Sequence, residues 1–271
     1  MEGQELEIGR DVPSFSLIFP TYNPGPILGR TWQQVERFLH ETSETWEVLF
    51  VCDGCSDGSA ERLAEWTRHE AAPVRILSYS PNHGKGYAVR LGLQAARGHY
   101  RIFADVDLAY SFDDIRRLAR KLRDGADVAI ASRTHPESQM TLPTRLQAYA
   151  YRRHLQSLAF SQLVRWLLPV KERDTQAGLK GMTAEAARRM VPHLTCNGFG
   201  FDCELLTAAA RLGLSVAEVP VSVRYEDRVS TTNVVSMGRM IGEIWQIRRA
   251  WKQAPATVLS VPAEPTRRQA A

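Results

Sequence analysis

The sequence predicts an α/β fold: a mostly parallel central sheet with helices on both faces, in a single domain followed by a C-terminal amphipathic helix. Three observations lead there. Short apolar runs rich in β-branched and aromatic residues recur through the first half of the 271-residue chain. Between them lie helix-length segments with apolar positions three and four apart. The composition, 44% hydrophobic and 24% charged, is that of a soluble chain able to fill a sizeable core.

The strands expected are FSLIFP (15–20), WEVLFV (46–51), VRILSY (74–79), YRIFAD (100–105) and DVAIAS (127–132). The helices between them are ILGRTWQQVERFLH (27–40), SAERLAEWTRHE (59–70), GKGYAVRLGLQAA (84–96) and FDDIRRLARKL (112–122). In sheets of this kind ligands sit beyond the carboxyl ends of the strands. The residues to interrogate are therefore Pro20 to Asn23, Asp53, and Asp105 to Asp107.

The second half is less regular. A basic helical stretch (145–173) precedes DTQAGLKGM, a short helix AEAARRM, the segment NGFGFDCELLTAAARLG and a strand SVAEVPVSV. A last amphipathic helix is expected near 234–252, with Val234, Met237, Ile241, Ile244, Trp245 and Trp251 on its apolar stripe. This divides the chain into a flexible N-terminus (1–12), one domain (13–225, with a break near 133–134), the C-terminal helical segment (226–252) and a disordered tail (253–271).

A net charge of +4 does not argue for nucleic acid. No run of about 18 apolar residues is present to span a membrane, and the acidic start MEGQELEIGRDV is no signal peptide. Four cysteines suit a reducing compartment. The expected address is the cytoplasm, or the periphery of the inner face of the cytoplasmic membrane.

FVCDGCSDGS (50–59) poses a choice between its two cysteines and the acid between them. Asp53 disfavours a thiolate at Cys52 or Cys55, and neither Cys196 and Cys203 nor the scattered histidines complete a zinc site. The carboxylate is the better candidate, with a nucleotide approaching the backbone at Gly54; a plain strand-to-helix turn is the alternative. Asp105 and Asp107, two apart at a strand end, can hold Mg²⁺ or Mn²⁺. A solvated acidic turn beside the helix start at Asp113 and Asp114 is the alternative there. Lys85 lies in HGKG, where glycines permit a phosphate to come close, without the spacing of an ATPase loop or a dinucleotide fingerprint.

FPTYNPG, CDGCSDGS, NHGKGYAVRLGLQAARG and DVD follow the first four strands in that order. The succession resembles glycosyltransferase family 2 enzymes of GT-A fold, whose usual wording is close to I-P-x-Y-N-E, D-D-G-S-x-D, N-x-G-K-G-x-A-x-R-x-G and D-A-D. ASR (131–133), RDTQAGLKGM (173–182) and FGFDCELL (199–206) are similar to the polyprenyl- or dolichyl-phosphate glucosyltransferase branch. The resemblance covers 13 to about 225 and makes 13–133 the nucleotide-sugar half and 134–225 the acceptor half.

It implies a metal-dependent, inverting transfer of a hexose, glucose from UDP-glucose in the first instance, to a polyprenyl phosphate. Pro20, Tyr22 and Asp53 would frame the base and ribose, Lys85 the diphosphate, and Arg133 the nucleotide sugar. Asp105 would meet both donor and metal, and Asp107 the metal. Arg133, Arg145, Arg173 and Lys180 are cations available to an anionic acceptor, the last three its expected binders. An acceptor hydroxyl would instead need a carboxylate base; Asp174, Asp202 and Glu204 are the candidates, with Asp174 and Asp202 expected to line the site. On a helix Asp202 and Glu204 project to different sides. Two departures stand out: Pro24 replaces the glutamate of Y-N-E, and Cys52 the first aspartate of D-D-G.

The partners expected are a nucleotide-sugar donor, a polyprenyl phosphate or other small acceptor, and, as further candidates, a membrane surface and a second copy of the chain. The basic stretch 145–173 and the last helix carry the membrane reading; a helix wedged between sheet and solvent is its alternative. A soluble hydroxyl acceptor and a non-catalytic nucleotide-sugar-binding protein are the competing functions.

Overall fold

The computed structural model describes residues 12–70, 73–141, 160–224 and 234–253. The first half follows the expected alternation: β1 (Phe15–Thr21), α1 (Ile27–Glu41), β2 (Trp46–Asp53), α2 (Ser59–Trp66), β3 (Val74–Tyr79), α3 (Lys85–Ala95), β4 (Tyr100–Ala104), α4 (Phe112–Arg123) and β5 (Val128–Ser132). Then come β6 (Gln139–Thr141), a helix α5 (160–167), β7 (Leu179–Thr183), α6 (Ala184–Met190), α7 (Phe201–Arg211), β8 (Val216–Pro220), β9 (Ser222–Arg224) and α8 (Val234–Gln253).

Seven strands form one sheet in the order β3-β2-β1-β4-β7-β5-β8. Every pairing is parallel except those of β7, which runs antiparallel to both β4 and β5. This is the GT-A arrangement that the sequence resemblance implies. Side chains alternate across each strand: Leu17 and Phe19 enter the core shared with α1, α2 and α4, while Ile18 enters the core shared with α3, α6, α7 and α8. The layers on both faces place the carboxyl ends of β1, β2 and β4 at one edge, where the loops meet.

Three expectations change. β7 is a strand that the sequence does not signal, because LKGMT carries a lysine and a glycine where a central strand ordinarily shows apolar residues. SVAEVPVSV is two strands: β8 completes the main sheet, and β9 pairs in parallel with β6 in a separate two-stranded sheet. The helix expected to run to 173 stops at 167, since Pro169 can neither donate to the helix nor leave Leu168 helical.

Each of the two amphipathic helices packs one apolar side inward and leaves another outside. In α5, Phe160, Val164 and Leu167 are buried and Trp166 is 76% exposed. In α8, among the side chains described, Met240, Ile244, Ile247 and Trp251 are buried and join the core of the main domain, so Ile244 and Trp251 of the expected stripe pack inward while Ile241 and Trp245 face out; the side chains of Val234 and Met237 lie outside those described. Apolar residues occupy two sides of each helix, so spacing alone does not say which side packs.

Candidate active site

The loop after β2 is built around Asp53, 3% exposed at the strand end. Its Oδ1 accepts from the His83 backbone N–H (2.7 Å), and its Oδ2 accepts from Gly84 N–H (2.8 Å) and Asn82 Nδ2 (2.8 Å). The carboxylate therefore holds the loop that leads into α3, leaving a minority of its acceptor sites for anything else. What comes close to Gly54 is that same loop: a Cβ there would lie 2.4 Å from Asn82 N. Around Lys85 the glycines likewise admit protein backbone. A Cβ on Gly84 would meet Asn197 O at 2.5 Å, and one on Gly86 would meet Cys196 O at 2.3 Å. Loop 195–200 thus seats on the start of α3, fastened by Gly86 N–H to Asn197 O and by Arg90 Nη1 to Cys196 O.

Lys85 is delivered by this clamp to Asp105. Its Nζ lies 2.8 Å from Asp105 Oδ1 and 3.8 Å from Asp202 Oδ2. Burial alone would lower the Lys85 pKa, but the two carboxylates outweigh it and raise it, so the side chain is an ammonium. Asp105 rests on Gly178, whose backbone oxygen accepts from Asp105 N–H (3.1 Å) and whose missing side chain leaves room for the carboxylate. Asp107 lies on the exposed lip of the same turn. The protein crowding it, and then the Asp105 carboxylate, push its carboxyl up. The turn is pinned from below by Thr31 Oγ1, which donates to Val106 O at 2.6 Å.

Among the described residues no three His, Cys, Asp or Glu side chains converge on one point. Asp105 and Asp107 nevertheless fit a hard divalent ion of the Mg²⁺ kind, which takes one or two carboxylates and completes its shell with substrate phosphates and water. A cation between them would offset the Asp105 charge, the lesser of the two causes that push Asp107 up.

The expected acids are all engaged. Arg133 grips Asp174 through two parallel bonds, Nε to Oδ2 at 2.7 Å and Nη2 to Oδ1 at 2.8 Å, and adds its backbone N–H at 2.9 Å. Burial would raise the Asp174 carboxyl, but these bonds and the guanidinium charge hold it below the usual carboxylate range. A proton acceptor this weak is a poor general base. Asp202 is 2% exposed and accepts from Lys180 Nζ at 2.6 Å. Glu204 turns away from it, as their spacing requires, and accepts from Thr195 N–H and Oγ1 and from Cys196 N–H.

The remaining expected residues fall as follows. Pro20 is buried in β1, and Tyr22 stands 56% exposed on the loop beyond it. That loop is laced to the one after β2 through Ser56 N–H to Asn23 Oδ1 (2.8 Å) and Gly25 N–H to Asp57 Oδ2 (3.0 Å). Lys180, expected to meet an acceptor, has no exposed surface; it lies mid-strand in β7 and bonds Asp202 and Ala177 O. Arg173 is exposed, with its backbone N–H on Glu218. Arg145 lies outside the described residues. Cys52 points into the core behind Asp53, its thiol pushed up to about 12 by burial, so it supplies neither a thiolate nor a base contact.

Two contributors escaped sequence reading. Gly178 sits inside the motif DTQAGLKGM, but only the fold brings it under Asp105. Glu243, the single acid of α8, accepts from Gly200 N–H (2.7 Å) and so ties the last helix to loop 195–200; an isolated acid in a basic, apolar helix was the available signal.

The profile of glycosyl transferase family 2 ("Glycosyl transferase family 2") matches residues 16–187. A dolichyl-phosphate beta-glucosyltransferase of Drosophila melanogaster is 35% identical over 265 residues, covering 90% of this chain and 79% of that one. The one from Saccharomyces cerevisiae is 28% identical, covering 87% and 74%. Among solved structures, glucosyl-3-phosphoglycerate synthase from Mycobacterium tuberculosis superposes with a TM-score of 0.65 at 18% identity, covering 90% of this chain and 81% of that one, which bears on the fold alone. With the motif succession, the sheet order and the cluster at its edge, these likenesses agree: the chain belongs to glycosyl transferase family 2 and is a glycosyltransferase resembling the dolichyl-phosphate glucosyltransferase branch.

Proposed function

We propose that this glycosyltransferase transfers glucose from UDP-glucose, with a divalent cation, to a polyprenyl phosphate, inverting the anomeric carbon in one displacement. The observation that carries the reading is the 2.8 Å pair between Lys85, at the helix start to which the loop held by Asp53 leads, and Asp105 just after β4. An ammonium and two carboxylates at one sheet edge form a cradle for a cation and a diphosphate. When bound, the metal stabilises the negative charge of the departing diphosphate; Lys85 adds its own positive charge, and Tyr22 offers an exposed ring to the base. The relatives named as dolichyl-phosphate beta-glucosyltransferases support the sugar and the acceptor class. A solved structure of like fold was crystallised with Mn²⁺ and UDP, in keeping with the donor and metal assigned here.

The engaged acids support a phosphate acceptor over a hydroxyl. Asp174 and Asp202 sit in ion pairs, and Glu204 accepts from Thr195 and Cys196. A lipid monophosphate carries an anionic oxygen near neutral pH, its second pKa being about 6, and needs no base. Among the described residues no helix is long and apolar enough to cross a membrane. The outer face of α8 suits a peripheral approach to a lipid: Trp245, 54% exposed, borders a hollow of about 460 Å³ with Arg248, Arg249 and Lys252.

The test is incubation with a panel of nucleotide sugars and Mg²⁺ or Mn²⁺, with and without a short-chain polyprenyl phosphate. Glucosyl transfer from UDP-glucose that requires both the metal and the lipid phosphate is expected. Transfer to a soluble hydroxyl acceptor in its place, or turnover of no donor, refutes the proposal.

A further inference from the structure

Lys180 poses a problem that the proposed chemistry leaves open. It is wholly buried in the middle of the central sheet, paired in register with Phe103 on one side and Ile130 on the other. An apolar residue would suit that place, and a buried lysine is kept only when it is paired. Its ammonium donates to Ala177 O and to Asp202 Oδ1, both at 2.6 Å, and reaches no open surface.

Asp202 turns its second oxygen to Lys85 at 3.8 Å, and Lys85 makes its short contact, 2.8 Å, with Asp105. The four side chains form a row of alternating sign: Lys180, Asp202, Lys85, Asp105. Only Lys85 and Asp105 border the cradle; Lys180 acts through Asp202. We propose that Lys180 is a positioning residue for Lys85. By holding one oxygen of Asp202, it keeps that carboxylate from capturing Lys85 and leaves the ammonium for Asp105 and an incoming diphosphate.

The inference rests on the nucleotide-sugar reading of the site. In a partly buried row each pair interacts more strongly than it would in water, so removing the cation at one end shifts the next one along. Without Lys180, the cation left within ion-pair reach of Asp202 among the described residues is Lys85. Lys85 would close the 3.8 Å gap and leave Asp105. β7 thereby serves both ends of the row, with Gly178 just before it seating Asp105 and Lys180 within it holding Asp202.

The test measures UDP binding by calorimetry in the presence of EDTA, so that no metal or turnover enters the reading. Lys180→Met is expected to weaken UDP binding about tenfold, equivalent to about 1.4 kcal/mol. Lys180→Met combined with Asp202→Asn removes both charges and is expected to recover most of that loss. Lys180→Gln keeps a donor for Ala177 and Asp202 while losing the charge, and reads the same quantity should Lys180→Met not fold. A variant that melts earlier but binds UDP as the parent does overturns the inference and makes Lys180 merely structural. So does a double variant that binds no better than the single. A parent chain that binds UDP neither in EDTA nor with Mn²⁺ refutes the donor assignment, and this inference with it; where the parent binds only with Mn²⁺, the same comparison of variants is read with Mn²⁺ present.

Discussion

Gly178→Ala tests the geometry of the site with one methyl group. The added Cβ would lie 1.8 Å from Asp105 Oδ2, 2.6 Å from its Cγ and 3.2 Å from Oδ1. The backbone at Gly178 is not in the left-handed region, so alanine is opposed only by the carboxylate. To restore ordinary contact the Asp105 oxygen must withdraw by about 1.5 Å. That is about half the 2.8 Å that separates the carboxylate's other oxygen, Oδ1, from Lys85 Nζ, and the same carboxylate is proposed to hold the cation. A displacement of about 1 Å in a positioned group can lower a rate about 100-fold, so turnover is expected to fall by at least that factor. Overpacking should cost about 1–3 kcal/mol of stability. The assays are initial-rate glucosyl transfer, Mn²⁺ titration and thermal melting of Gly178→Ala, Asp105→Ala and the double variant. The melting deficit of Gly178→Ala should largely vanish in the Asp105→Ala background, because the group it strikes is gone. A Gly178→Ala protein with parental rate, metal affinity and melting temperature would refute the placement of Asp105.

Asp174→Asn breaks the buried pair with Arg133 and should cost about 3–5 kcal/mol in urea unfolding. Because the folded-state carboxyl of Asp174 is held low, its contribution is present above the unfolded value and lost as pH falls through the folded one. Parent and variant stabilities should therefore converge on going from pH 6 toward pH 3, and a constant difference would count against the pair. Burial raises the Cys52, Cys196 and Cys203 thiols to about 12, so iodoacetamide at pH 7 should leave activity intact, and Cys52→Ser with Cys55→Ser should leave Mn²⁺ binding unchanged; rapid inactivation would reopen a thiol role. Replacing Arg248, Arg249 and Lys252 with glutamine should remove about 3 kcal/mol of attraction to phosphatidylserine vesicles, at about 1 kcal/mol per basic residue. Co-sedimentation that is unaffected by these changes and by salt would rule out the α8 face as the contact.

The parts of this protein written locally in its sequence are the alternation of strand and helix, the helix starts and the acids at strand ends. AEAARRM is helical from Ala184 to Met190 as expected, and Ser111 with Asp114 closes the α4 cap that follows the Asp105–Asp107 turn. Period and capping depend on residues within a turn or two of each other, so they can be read without the fold. That Asp53, Lys85, Asp105 and Asp107 lie at one edge of the sheet was legible for the same reason, since each stands at a junction between a strand and a loop or helix start in a parallel sheet.

What Asp53, Asp174, Lys180 and Gly178 touch was not legible, because each meets a partner brought from elsewhere in the chain. Asp174 is matched to Arg133 across 41 positions, and Asp53 to a backbone loop 30 positions on. Lys180 reads as an exposed cation until β7 is seen to run against its neighbours through the middle of the sheet, where burial forces it onto Asp202. The inward faces of α5 and α8 were settled the same way, by the shape of the core they cover. A charge or an apolar face carries no record of its counterpart in the residues beside it. Only the closing of the sheet decides which opposite charges are excluded from water together, and there the free energy of pairing is large enough to set their geometry.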